Sequence, residues 1–256
     1  MGCYPLFCCA DWSRLAEDLE ELEGELVSLS IVADPFGDHR SHDLRSCFPH
    51  HVVPFKPHFV VDLSRPPERF VSRHHLRRAR KAAERVQVEP VVSAIAALDR
   101  WDRLYEVLIR RHGIEGPRRF SRVAFAAQLE VPGIVVFEAK TEEHSIGMLL
   151  WYVRDSIGYY HLGAYDALGY DLGASYALFR FALDYFAATG VRWLTLGGGA
   201  GLGRDEGLAR FKGGWASETR QVFFCGRVLD AERYAELSGS EASGPYFPAY
   251  RRGEFP

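Results

Sequence analysis

The apolar run 157–165 has the length of a buried strand, and Asp166, Gly169 and Asp171 follow it as turn formers. From 173 to 188 almost every position is apolar or aromatic, with Arg180 and Asp184 as a narrow polar edge, which predicts a mostly buried helix. Gly190 supplies a left-handed residue to end that helix, and 191–196 reads as a second strand. A strand, a helix and a strand in this order make a crossover whose two strands lie parallel.

The 256 residues, 47% of them apolar, can bury a large core in one big domain or two modest ones. A formal net charge of −3 excludes a general basic coat for nucleic acid or an acidic tail, so any such role has to be local. The apolar runs stay well under about 18 residues, which argues against a membrane span. The first ten residues lack a basic leader, and a cytoplasmic setting is expected. Cys3, Cys8, Cys9, Cys47 and Cys225 are scattered in a chain too large to need staples, so reduced thiols are expected. His39 and His42, with Cys47 and His50, have metal-ligand spacing, but no paired Cys-x-x-Cys knuckle accompanies them and no metal is expected.

Upstream, Trp12, Leu15, Leu19 and Leu22 repeat at helical spacing, 26–33 reads as a strand, and 37–58 reads as a loop rich in His and Pro. A strand at 59–63 leads to a helix expected over 68–86. That helix sets Arg69, Arg73, Arg77, Arg78, Arg80, Lys81 and Arg85 against Glu68 and Glu84 alone, with Phe70, Leu76, Ala79 and Ala83 on its buried side. A strand at 87–92 and helices at 98–112 and 121–129 follow. Strands at 134–139 and 145–153 form a hairpin, so three antiparallel strands lead into the crossover. Beyond the crossover come a glycine loop, an anchor segment ending in a Gly-Gly-Trp turn, a strand at 220–229, a helix at 230–237 and a loosely ordered tail.

Three motifs occur in order: Gly173-Ala174-Ser175 at the helix start, Leu196-Gly197-Gly198-Gly199 at the strand end, and Phe211-Lys212-Gly213-Gly214-Trp215. Together with the basic segment Arg77-Arg78-Ala79-Arg80-Lys81-Ala82, they resemble the FemABX-like branch of the GNAT acyltransferases over about residues 59–228. The resemblance implies an α+β GNAT fold, a mixed and mostly antiparallel central sheet with one β-α-β parallel pair, flanked by helices, plus a partial N-terminal GNAT-like half. It divides the chain into residues 1–115, which hold the basic helix, an acyltransferase domain at 116–237 and the tail at 238–256. It implies transfer of an acyl or aminoacyl group to an amine acceptor, a small molecule or a peptide. The donor is then acyl-CoA, the favoured carrier, or aminoacyl-tRNA, with tRNA as a partner.

The helix start at Gly173, Ala174 and Ser175 offers free N–H groups to a carrier phosphate, and Arg77 and Arg80 offer a phosphate-facing surface. The resemblance sets Lys212 near the carrier phosphates or the developing negative charge, with Arg210, Phe211 and Gly198 beside it. For proton handling the C-terminal end of the strand 157–165 supplies His161, which titrates in the right range, with Tyr160, Tyr165 and Asp166, and Tyr165 is also a candidate for holding the carrier. The coenzyme A loop pattern, Arg/Gln-x-x-Gly-x-Gly/Ala, is reduced here to the final small residue of Gly169-Tyr170-Asp171-Leu172-Gly173-Ala174. The 197–203 glycine loop has Arg204 where a dinucleotide fingerprint needs its third glycine, and Gly213 stands where a triphosphate loop needs Ser or Thr after the lysine. No Gly-x-Ser-x-Gly elbow occurs. A non-catalytic GNAT-like module that binds RNA or a protein through the basic helix is the reading from another class.

Overall fold

The computed structural model describes residues 6–142, 144–199, 206–239 and 246–253, which fall in two compact units. One unit is Phe59–Thr219, and the other joins Met1–His58 to Arg220–Pro256. The first segment contributes α1 (Leu15–Glu20), β1 (Ser28–Val32), α2 (Ser41–Cys47) and the start of β2 (His51–Asp62). The stretch expected to be a loop therefore contains a helix and most of a strand. Asp43 starts the helix by accepting the Arg40 N–H at 2.7 Å, and Leu44, Cys47 and Phe48 bury its inner side. His and Pro composition hid this burial pattern.

The larger unit holds the end of β2, α3 (Arg73–Ala83), β3 (Gln87–Pro90), α4 (Leu98–His112), α5 (Arg122–Leu129), β4 (Ile134–Lys140), β5 (Ser145–Arg154), β6 (Ile157–Tyr165), α6 (Ala167–Leu172), α7 (Ala174–Ala188), β7 (Trp193–Gly197) and α8 (Glu206–Trp215). Its strands run β2-β7-β6-β5-β4-β3 across the sheet. Every neighbouring pair is antiparallel except β6 and β7, the parallel pair expected from the crossover. Successive residues of β5 feed opposite faces: Leu149 and Trp151 join Phe137, Phe179 and Phe186 under α7, while Met148 and Leu150 join Trp101, Leu104 and Phe125 under α4 and α5.

Three expectations change here. The basic helix is split, with a short 3-10 turn at Pro67–Arg69 and α3 starting after Ser72, whose Oγ accepts the His75 N–H at 3.2 Å. The turn after β6 is the helix α6, capped by Asp166 through a 2.9 Å bond from the Gly169 N–H. The anchor segment is the helix α8 rather than a turn.

The chain then returns to the first unit through β8 (Glu218–Val228), antiparallel to β1, and α9 (Ala231–Ser238). The tail expected to be loose is docked where it is described: the Ala249 N–H bonds Tyr234 Oη at 2.9 Å, and the Tyr250 hydroxyl meets Ser28 Oγ at 2.8 Å. Cys47 and Cys225 are buried free thiols. Among the described residues no helix is long and apolar enough to cross a membrane, and no group of three or more His, Cys, Asp or Glu is placed to hold a metal ion.

Candidate functional site

Strands β6 and β7 pair only from Ile157↔Trp193 to Tyr159↔Thr195. Beyond that point β6 stays with β5 as far as Tyr165, while β7 ends on β2 at Gly197↔Phe59, so the parallel pair opens. Opening two strands leaves backbone polar groups of both that a ligand can pair with. Tyr160 stands on the β6 side, packed on Trp151 and Phe179 at 5.2 Å each. Lys212 reaches in from α8; its buried Nζ donates to the Gly198 carbonyl at 2.7 Å and lies 5.7 Å from the centre of the Tyr160 ring. Gly197, at φ +73°, turns the end of β7 around that ammonium.

Each residue of the Phe-Lys-Gly-Gly-Trp motif has a contact that accounts for it. The Phe211 carbonyl accepts from His75 Nε2 at 3.0 Å, which leaves His75 Nδ1 to accept the Ser72 hydroxyl at 2.7 Å. A Cβ on Gly213 would meet Phe59 at 3.3 Å, and one on Gly214 would run into the His75 ring. Trp215 is fully buried and stacks on Phe179 at 5.9 Å. Burial holds the His75 imidazole below its ordinary pKa, although the Phe211 carbonyl pulls the other way. A neutral histidine thus joins α3 to α8 and fixes the helix that carries Lys212.

Gly173, at φ +71°, ends α6 and begins α7, and both it and Ala174 are buried, with Ser175 half-buried. Arg78 Nη2 lies 3.7 Å from where a Gly173 Cβ would stand, and its guanidinium sits 5.3 Å over the Tyr176 ring. The helical phase of α3 turns Arg78 toward the α7 start, whereas Arg77 and Arg80 point to solvent, as does Arg210 on α8. The alternation of basic residues revealed the patch. Which arginine meets α7 depends on how α3 packs.

His161 is the extra residue of a bulge, since Leu150 pairs with Leu162 and Trp151 with Tyr160. The bulge turns His161 toward α5, away from Tyr160 and Lys212. There Nε2 donates to Gln128 Oε1 at 2.8 Å, while Nδ1 is shut from solvent with no partner among the described residues. Burial pushes its pKa down to about 4. Burial instead raises the phenol pKa values of Tyr160 and Tyr165, so both stay protonated donors at neutral pH. The structure therefore brings together Tyr160, Tyr165, Gly198, Phe211 and Lys212, sets Gly173, Ala174 and Ser175 with Arg78, and leaves His161, Arg77, Arg80 and Arg210 apart.

A parallel pair open at one end, with a helix start below it and a lysine across it, is the architecture of an acyl-transfer fold. The model of the acetyltransferase (GNAT) domain family matches residues 71–212, more than half of the sequence. The chain belongs to this GNAT acetyltransferase family and is an acyltransferase. Among solved structures, FemX matches with a TM-score of 0.68 at 13% identity, covering 90% of this chain and 82% of that one. The C-terminal domain of a putative lysylphosphatidylglycerol synthetase from Agrobacterium fabrum gives 0.58 at 12% identity, over 77% of this chain and 66% of that one. L-PGS from Bacillus licheniformis gives 0.53 at 15% identity, over 69% of this chain and 61% of that one. These identities show a shared fold, in keeping with the FemABX-like branch. No curated protein sequence matches the chain.

Proposed function

We propose that the chain moves an acyl group from a phosphate-bearing carrier to an amine, with acyl-CoA as donor and a small molecule or peptide as acceptor. The observation that carries this is Lys212: a buried ammonium held 2.7 Å from the Gly198 carbonyl across the open strand pair. A fixed cation in a partly dry cleft stabilises the negative charge that develops as an amine adds to an acyl carbonyl. His161 then supports the bulge rather than the proton transfer, because a group titrating near 4 with no open nitrogen takes no proton from an amine at neutral pH. The acceptor arrives as the free amine, and its proton leaves through water.

Aminoacyl-tRNA is the second reading, and one observation favours it. α6 lies where an open phosphate loop would enter α7, and Gly173 and Ala174 are buried, so a pyrophosphate has less access to the helix start. A thermal-shift series with acetyl-CoA, longer acyl-CoAs and a charged tRNA mixture separates the two. A carrier at about a hundred times its Kd stabilises the native state by about 2.7 kcal/mol. Stabilisation by the CoA esters alone removes the tRNA reading, stabilisation by charged tRNA alone removes the CoA reading, and no stabilisation by either removes both.

A further inference from the structure

Two phenols lie along the α7 side of β6 and meet over one glycine. A Cβ on Gly163 would stand 2.5 Å from Tyr160 Oη and 3.1 Å from Tyr165 Oη. The bulge at His161 makes this possible, since it returns Tyr160 and Gly163 to the same side of the strand although they lie three positions apart. Tyr165 lies low because Gly147 lies beneath its ring, where a Cβ would come within 2.6 Å of Tyr165 Cδ1. Gly163 and Tyr160 keep part of their surface open to solvent. Among the described residues neither hydroxyl has a hydrogen-bond acceptor, although Tyr165 is only 8% exposed. Two neutral O–H donors side by side over one partly exposed glycine, with the Lys212 ammonium 5.7 Å from the Tyr160 ring, are arranged to donate to an oxygen that gains negative charge.

We infer that Tyr160 and Tyr165 are paired catalytic donors to the acyl oxygen, and that Gly163, with no Cβ, lets the two hydroxyls come together. The inference rests on the N-acyl-transfer reading above. The amine nitrogen bonds to the acyl carbon, and the carbonyl π pair moves to oxygen, where the two phenols donate to it. When the C=O bond re-forms, the bond to the carrier's sulfur or ester oxygen breaks and that atom leaves with the electron pair. The proton lost by the amine passes through water to the leaving atom.

The test uses the full chain with acetyl-CoA, longer acyl-CoAs and charged tRNA as donor probes against a panel of amines. Y160F and Y165F keep the rings and remove only the hydroxyls, and each is expected to lower kcat by about 10²–10³-fold with KM and Tm nearly unchanged. G163A would press a methyl on Tyr160 Oη, Leu149 and Tyr165 Oη and force the two hydroxyls apart, and is expected to lower kcat together with Tm. If the wild type turns over a probe while both Phe variants keep kcat within about threefold, or change KM alone, the donor pair is overturned and acyl transfer stands. If the wild type turns over no probe, the acyl-transfer reading falls and the pair falls with it.

Discussion

Burial lowers the His161 pKa from an ordinary 6.5 to about 4, so the unfolded chain accepts a proton that the folded protein resists. The sign follows: this contribution to stability is complete above about pH 6.5 and is lost as the pH falls toward 4, by at most about 3 kcal/mol. His75, also lowered by burial, acts in the same direction. Urea titrations of the wild type and H161Q between pH 7 and 4 check this: the variant should show the flatter dependence, and equal slopes would refute it. The pH profile of kcat/KM should rise with deprotonation of the acceptor amine and show no inflection from His161 near 6.5. At Lys212 the expected outcome is a loss of about 10²-fold or more in kcat for K212A, read beside an unchanged circular dichroism spectrum. Retained turnover would remove the ammonium from the mechanism.

The helix α8 contains two adjacent glycines, which cost helix stability by propensity and are kept for close approach. Gly214 faces the His75 ring so closely that any Cβ requires α3 or α8 to move. G214A should therefore destabilise by about 1–3 kcal/mol, and Tm measured by calorimetry should fall by several degrees. G207A, in the same helix where a Cβ meets nothing, should leave Tm unchanged or slightly raised. Equal effects at the two positions would show that propensity rather than packing sets the outcome. Asp166 belongs to the same scale: as the α6 cap, its replacement by Ala should cost about 1 kcal/mol. The strands and long helices were legible in the sequence, and α4 runs over the expected residues up to Gly113 at φ +58°. α8 and α6 were not, because Gly and Asp are turn formers locally and a packed neighbour overrides that preference.

Across the whole molecule the net charge is −3, yet α3 presents Arg73, Arg77, Arg78, Arg80 and Lys81 on its exposed side. If charged tRNA is the carrier, its affinity should fall steeply with salt, and the slope of log K against log salt should shrink by about one for each of R77A and R80A that contacts a phosphate. Binding measured by filter retention from 50 to 300 mM salt, about the range where such contacts weaken, checks this. An unchanged slope would leave the basic helix as a solvated face. The sequence by itself determined the parallel crossover, the GNAT-like order of elements and the Phe-Lys motif, because hydrophobic period, turn residues and local spacing are properties of neighbouring residues. Only the tertiary structure decided that His161 leaves the opening through a one-residue bulge, that Arg78 rather than Arg77 or Arg80 meets α7, and that Tyr160 and Tyr165 converge on Gly163. Those relations depend on the register of β6 against β5 and on the rotation of α3 on α7, which are set by packing between residues distant in the chain.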